Sequence, residues 1–370
     1  MKITFPHMGN MYVPIKVLLD TVGISYVIPP YGLKSTMEKG IIHSPEFACL
    51  PFKSVLGDFI YGLEHGADFI LFGGGCGQCR FGYYGDLHNE ILKNLDYKMD
   101  FVNLELNNMN TKNILNGIKP LTSGKRTIDI IKALAYAIKT VYMVDSLTAL
   151  SRHIRCREMT KGQTDRIISQ FHSKAQKAFG YKNIAKLINS TKKALKQVPL
   201  DKNYKPIKVS IVGEIYIGAH PLLNFELEKK LGNLGVEVQN SLSVSHWITE
   251  HFVKKMIPLK LKDRSIQAGN EFIKTNDIGG HGIQTIGNSI LSAKKGLDGV
   301  IHVYPFTCMP EIIAQSAFSE IQKKYSIPIM TLIVDEMTGE AGYMTRLEAF
   351  IDMIRMKKTL AGETQIAAAL

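Results

Sequence analysis

The chain has 370 residues, 45% apolar and 21% charged, which is enough apolar material for two cores at the usual length of roughly 100–200 residues per domain. Its net charge of +12 is uneven: residues 111–206 carry 20 Lys and Arg against 5 Asp and Glu, or +15, and the remainder sums to −3. No recognised binding module or interleaved aromatics accompany the basic run, no stretch nears the ~18 apolar residues of a membrane span, and the opening MKITFPHMGNMYV has no apolar signal core. Nucleic-acid binding, membrane insertion and secretion are therefore set aside, and a soluble cytoplasmic protein is expected.

In chain order, KITFPHMG reads as a strand, MYVPIKVLLDTVG as a helix and ISYVIPP as a strand. A glycine-poor loop leads to FKSVLGDFIYGLEHG, an amphipathic helix ending at Gly66, and then to ADFILFGGG, a buried strand running into glycines. GDLHNEILKNLD reads as a helix and MDFVNLEL as a strand. Strand–helix alternation at this spacing predicts a parallel α/β sheet over residues 1–110.

Residues 111–206 form a basic segment whose apolar residues recur near helical spacing, through TIDIIKALAYAIKTVYMVDSLTAL, DRIISQFHSKAQKAFG and YKNIAKLINSTKKALKQV. PLDKNYKP reads as a linker. Residues 207–370 repeat the first scheme: KVSIVGEIY (strand), LLNFELEKKLGNLG (helix), VEVQNS (strand), IGNSILSAKKG (helix), LDGVIHVYPF (strand), PEIIAQSAFSEIQKKYS (helix), IPIMTLIVD (strand) and TRLEAFIDMIRMKK (helix). The final AGETQIAAAL is weakly patterned and is expected to fray. The fold class is thus α/β, with two parallel-sheet domains around a helical segment.

Five cysteines in a large chain without a leader argue against a disulfide framework. Cys76 and Cys79 form GGGCGQCRFGYY just past a strand's carboxyl end, where ligands sit in open α/β sheets. Their Cys-x-x-Cys spacing lets two thiolates converge on one metal or cluster. Gly75 and Gly77 permit turns and close approach of a bulky inorganic group. Cys308 also follows a strand, and both Cys308 and Cys49 stand two residues before a proline that opens a helix. The positive end of each helix is expected to favour the thiolate. On spacing alone iron–sulfur, zinc and no metal at all stay open. Cys156 reads as an ordinary thiol.

Around these, His7 and His281 are candidates to donate a hydrogen bond or a proton to a bound substrate, against the alternative of loop histidines satisfied by backbone. Arg80 is placed to pair with cluster charge or a substrate anion. Glu46, Glu214 and Glu311 lie in or beside the same motifs, Glu311 reading as a first-turn acid that compensates its helix dipole. Arg346 reads as a partner in a structural ion pair, and Tyr83 and Tyr84 as packing.

Through TFPHMGN, SPEFACLPFK, GGGCGQCRFGYYGD, GEIYIGAHPLLNFELEKKL, GGHGIQTIG, GVIHVYPFTCMPE and DEMTGEAGYMTRLEAFIDM, nearly the whole chain resembles the 2-hydroxyacyl-CoA dehydratase superfamily, that of the 2-hydroxyglutaryl-CoA dehydratase D-component. Within it, the chain is similar to stand-alone proteins of the CoA-substrate-specific enzyme activase-like, or CoA protein activase, kind. The resemblance implies two Rossmann-like domains, a helical portion and an iron–sulfur cluster in the interdomain cleft. It places Cys49, Cys76, Cys79 and Cys308 on the family's cysteine motifs, as ligands of one [4Fe–4S] cluster. Cys156 stands where similar sequences more often carry a proline, and is excluded. The resemblance further implies a partner, an ATP-hydrolysing activator of the actin-like fold with its own [4Fe–4S] cluster, and an acyl-CoA-type substrate that is dehydrated through a ketyl radical.

Two departures shape the expectation. Four ligand cysteines are too few for a six-cysteine double cubane, and no ATP-binding pattern is present. Known dehydratases are also heterodimers, so the reaction of a stand-alone chain stays open. The reading is an iron–sulfur protein fed by the activator, with a non-catalytic cluster carrier or electron relay, or a zinc-stabilised structural protein, as alternatives.

Overall fold

The computed structural model describes residues 1–31, 33–74, 79–105, 119, 121–243, 245, 263–273 and 278–369. The first part runs β1 (Lys2–Thr4), α1 (Tyr12–Val22), β2 (Ser25–Val27), α2 (Lys34–Ile42), α3 (Leu50–Glu64), β3 (Phe69–Gly74), α4 (Tyr84–Asn94) and β4 (Asp100–Glu105). Three helices follow: α5 (Thr127–Arg155), α6 (Gln163–Lys177) and α7 (Gly180–Lys196). The last part comprises β5 (Ile207–Gly213), α8 (Ile215–Ala219), α9 (Leu227–Asn233), β6 (Val236–Asn240), α10 (Arg264–Gly269), α11 (Gly282–Lys294), β7 (Gly299–Pro305), α12 (Met309–Ser316), α13 (Phe318–Tyr325), β8 (Ile329–Val334) and α14 (Glu340–Ala369).

The strands form two four-stranded sheets, ordered β2-β1-β3-β4 and β6-β5-β7-β8, with every pairing parallel. The α/β expectation holds, and both halves use the same strand order. In each sheet the first strand lies between the second and third, so connections leave in opposite directions there. The carboxyl ends of β1 and β3, and of β5 and β7, flank these switch points, the usual location of ligands in such sheets.

Packing follows from where apolar faces are left to cover. One core joins α3, α4 and β3 to β5, β6, β7, β8 and α14, through Phe52, Leu56, Phe59 and Phe72 on one side and Val209, Ile217, Leu347 and Ile351 on the other. A second core lays α5, α6 and α7 against β1 and α1. A third packs α10, α11, α12 and α13 on β7. Residues of β7 are buried throughout, as its apolar run GVIHVYP requires of a strand covered on both faces. No helix among the described residues is long and apolar enough to cross a membrane.

Several local expectations change. The stretch after β2, read as loop, contains α2. Its weak amphipathicity hides a helix held by close backbone contact: a Cβ on Gly40 would lie 2.7 Å from Gly57 N, and one on Gly57 would lie 2.0 Å from Thr36 O. The strand expected over KVSIVGEIY stops at Gly213, whose φ of 128° favours glycine, and α8 begins at once. The helix expected over LLNFELEKKLGNLG starts only at Leu227, because Phe225 and Glu226 turn with positive φ. The single helix expected after Cys308 is two, divided at Ala317. The backbone of α14 stays helical to Ala369, past the point expected to fray.

Candidate functional site

Cys49 is the N-cap of α3, with extended backbone and Pro51 in the first turn. Cys308 occupies the same position on α12, with Pro310. Cys79 caps the 3-10 turn Arg80–Tyr83 that leads into α4. Each thus precedes a helical turn, and Cys79 and Cys308 follow the switch-point strands β3 and β7. Cys76, Gly75 and Gly77 lie outside the described residues. Cys49, Cys79, Cys156 and Cys308 are all free thiols.

Arg80 ties the three loops together. Its guanidinium donates to Phe47 O (3.1 Å), two residues before Cys49, and to both Thr307 O (2.9 Å) and Thr307 Oγ1 (2.8 Å), immediately before Cys308. Thr307 has φ of 68°, costly for a β-branched residue and held here by these contacts. Arg80 therefore acts first on protein carbonyls rather than on an anion. Lys53 makes a parallel bridge: it is buried, donates to Glu46 O (3.0 Å) and pairs with Glu336. Replacing Arg80 with Ala removes three hydrogen bonds across these loops. In metal-free protein the expected result is a severalfold faster alkylation of Cys49, Cys79 and Cys308 by iodoacetamide, read by mass spectrometry, with Cys156 unchanged as the internal control.

The thiols do not behave as their helix positions predict. Burial pushes Cys49 up to about 11, opposed by its contact with Tyr84 Oη at 2.9 Å and reinforced by the Glu214 and Cys79 charges. Burial also raises Cys79, with Glu214 and Glu311 adding to it and Arg80 opposing. Cys308 is raised furthest, by burial and then by Glu311 and Glu214. Desolvation outweighs the helix ends, so the expected thiolate stabilisation is corrected: without a cation these groups stay protonated. The Cys79 charge is felt at both Cys49 and Cys308, so the three occupy one electrostatic neighbourhood.

Two carboxyls border the thiols. Glu214 caps α8, accepting from Tyr216 N (2.9 Å) and Ile217 N (2.8 Å), and burial lifts it from 4.5 to about 7. Glu311 sits in the first turn of α12, as expected of a dipole-compensating acid. It is only 1% exposed, however, and bonds His302 Nε2 at 2.9 Å and Thr285 Oγ1 at 3.3 Å. Linkage fixes the sign for Glu214. Below about 4.5 both folded and unfolded forms are protonated and there is no penalty. Between about 4.5 and about 7 only the unfolded form ionises, so stability falls as pH rises. Above about 7 the penalty is constant. The residue is partly open to solvent, and screening trims the effect to on the order of 2 kcal/mol. Urea titrations of Glu214→Gln are expected to match the parent near pH 4.5 and to show greater stability by that amount at pH 8.

His281 caps α11, its carbonyl accepting from Thr285 N at 2.8 Å. The flanking Gly280 and Gly282 let this loop approach Pro310, since a Cβ on Gly282 would lie 2.6 Å from Pro310 O. That sets the His281 loop beside the turn that carries Cys308. His7 follows the carboxyl end of β1. Its N–H donates to Asp58 Oδ2 at 2.7 Å and its carbonyl accepts from Tyr216 Oη at 3.1 Å. It is 0% exposed, packed among Tyr12, Tyr31 and His220, and neither ring nitrogen has a hydrogen-bond partner among the described residues. Burial, then His220 and His172, hold it well below the usual imidazole value, so it stays neutral.

Tyr84, read as packing, touches Cys49, and Tyr83 is exposed. Arg346 donates to Thr331 O at 2.6 Å, a backbone carbonyl in place of the expected ion-pair partner. Sequence reasoning missed Lys53, Glu336, His302 and Thr307. Only Thr307 carried a signal, its place directly before a candidate cysteine. Among the described residues no three His, Cys, Asp or Glu side chains converge closely enough to hold a metal ion. The donor chemistry suits a thiophilic metal, but the described part of the set is not drawn into a shell. No protein-family profile matches the chain, and no curated protein matches it.

Proposed function

We propose that the chain is an iron–sulfur protein holding one [4Fe–4S] cluster through Cys49, Cys76, Cys79 and Cys308, in a crevice between two Rossmann-like units. The observation that carries this reading is the Arg80 bridge, which links the chain beside Cys49, Cys79 and Cys308. Thiols raised by burial support it, because a buried set of protonated sulfurs becomes favourable as thiolates only opposite a strong positive charge. Bound there, the cluster would supply one-electron transfer at low potential.

As the resemblance implies, the electrons come from a separate ATP-dependent activator. Its docking is favoured by large apolar side chains exposed on the loops that Arg80 bridges: Phe47 is 73% exposed and Met309 64%, with Tyr83 and Phe306 also outward. Monomeric surfaces seldom leave so many large apolar side chains together without a partner. The substrate class is an acyl-CoA thioester undergoing reduction or dehydration. His281, in the loop beside the Cys308 turn, is the proposed proton donor, while buried, neutral His7 is suited to hydrogen bonding rather than charge.

The test is metal and acid-labile sulfide analysis after purification under argon. About four irons and four sulfides per chain are expected, with a brown chromophore bleached by reductant. Stoichiometric zinc in a colourless protein overturns the proposal in favour of a structural metal site. A cluster with no turnover of acyl-CoA plus activator, and no thioester-dependent spectral change, reduces it to an electron relay.

A further inference from the structure

The feature that the cysteine site leaves unexplained is α5. Its inward seam is clear: Ala133, Thr140, Leu147 and Ile154, seven residues apart, are all buried. Its outward seam is apolar as well. Ile128, Ile131, Ala135 and Ile138 follow the 3-4-3 spacing of a coiled-coil seam on the opposite face, with Leu134 beside them. They face solvent, Ile128 at 50% and Ile131 at 56%. From Thr127 to Lys139 only Ala133 is fully buried, with Tyr136 packed on the second core, and the outward apolar stripe is exposed among the described residues. A helix apolar on two opposite faces normally packs on both.

Charge indicates what covers it. Lys132 and Lys139, seven residues apart, border the seam on one side. The acids of α5 are committed elsewhere: Asp129 to Arg126, and Asp145 to Ser243 and Ser245. Pairing with a second copy leaves the lysines unanswered. An antiparallel copy sets lysine against lysine, and a parallel copy sets lysine against Leu134. A helix lying in a membrane surface opposes its apolar face with a solvated face rich in Lys and Arg, whereas the opposite face of α5 is the buried seam of Ala133, Thr140, Leu147 and Ile154. We propose that the outward seam of α5 docks an amphipathic helix of a partner protein whose flanking positions carry carboxylates. The seam from Ile128 to Ile138 spans about 15 Å, two to three turns of such a helix.

The probe is a labelled three-heptad peptide with Leu at the seam positions and Glu at the flanks, alongside a twin with Lys at the flanks, both measured by fluorescence anisotropy against the full chain. The Glu peptide is expected to bind saturably, and at least about tenfold more tightly than the Lys twin. Ile131→Asp with Ile138→Asp is expected to abolish binding while circular dichroism and thermal midpoint stay unchanged, because both positions are solvent-facing. Should that double variant misfold, Lys132→Glu with Lys139→Glu, which removes the Lys139 cation from over the Tyr181 ring but no apolar core residue, is expected to reverse the preference between the peptides. Equal binding of both peptides, or none, overturns the proposal. So does a concentration-dependent dimer in sedimentation velocity that Ile131→Asp dissolves, which would assign the face to a second copy. Co-sedimentation with phosphatidylserine vesicles in place of peptide binding would assign it to a membrane surface.

Discussion

Purified under argon, the Cys308→Ser chain is expected to lose most of its iron and its visible chromophore while keeping its fold. Cys308 is the one candidate ligand supplied from the second sheet, at the end of β7, whereas Cys49, Cys76 and Cys79 belong to the first part of the chain. A hydroxyl replaces a soft thiolate with a hard, weakly acidic oxygen, so the position ceases to be a good ligand for iron at neutral pH. The fold should persist because Ser is a better N-cap than Cys for α12 and no apolar core cluster contains Cys308. The readouts are iron and sulfide per chain, the visible spectrum and far-ultraviolet circular dichroism. Full iron content in Cys308→Ser would end the case for ligation across the two sheets. Cys156→Ser is the control, expected to retain all iron, since its thiol is engaged with His153 O and Arg157.

The largest loss of stability is expected from Gly57→Val. The Cβ alone would sit 2.0 Å from Thr36 O and 3.3 Å from Gly40 N, and those are backbone atoms that cannot swing aside. Relief requires α2 to move off α3, exposing parts of a core that includes Phe52, Leu56 and Ile60. Such overpacking against backbone typically costs several times the ~1 kcal/mol of an average substitution, and a loss of at least about 3 kcal/mol is expected in urea titration. Residues 43–49 connect α2 to α3, so displacing α2 also displaces the Cys49 turn, and iron content should fall in parallel. Gly339→Ala provides the contrast: a Cβ there meets nothing within 4 Å, and the variant is expected to be as stable as the parent. A Gly57→Val chain with unchanged stability would show that the two helices are not in the contact described.

Much of this site was legible in the chain itself. The glycine and proline punctuation around the cysteines marks helix starts, and helical turns begin at Cys49, Cys79 and Cys308, the last two after strands and Cys49 after α2. What was not legible is pairwise. Nothing near Arg80 in sequence announces Thr307, and nothing near Lys53 announces Glu336; these partners are separated by 227 and 283 residues. His302 is hidden inside an apolar strand, where its pairing with Glu311 depends on how α12 folds back over β7. The α2 helix was missed because its warrant is a glycine contact with another helix rather than its own periodicity.

Local chemistry and periodicity by themselves determined the alternation of strands and helices, the parallel class of the sheets and the candidate cysteines, because short-range sterics and hydrophobic spacing act within a few residues. Only the tertiary structure decided that the two sheets share one strand order, that Arg80 bridges the cysteine loops, and that the thiols are raised rather than lowered. Those outcomes depend on burial and on charges contributed from distant segments, and desolvation is a property of the assembled interior that no single stretch of chain carries.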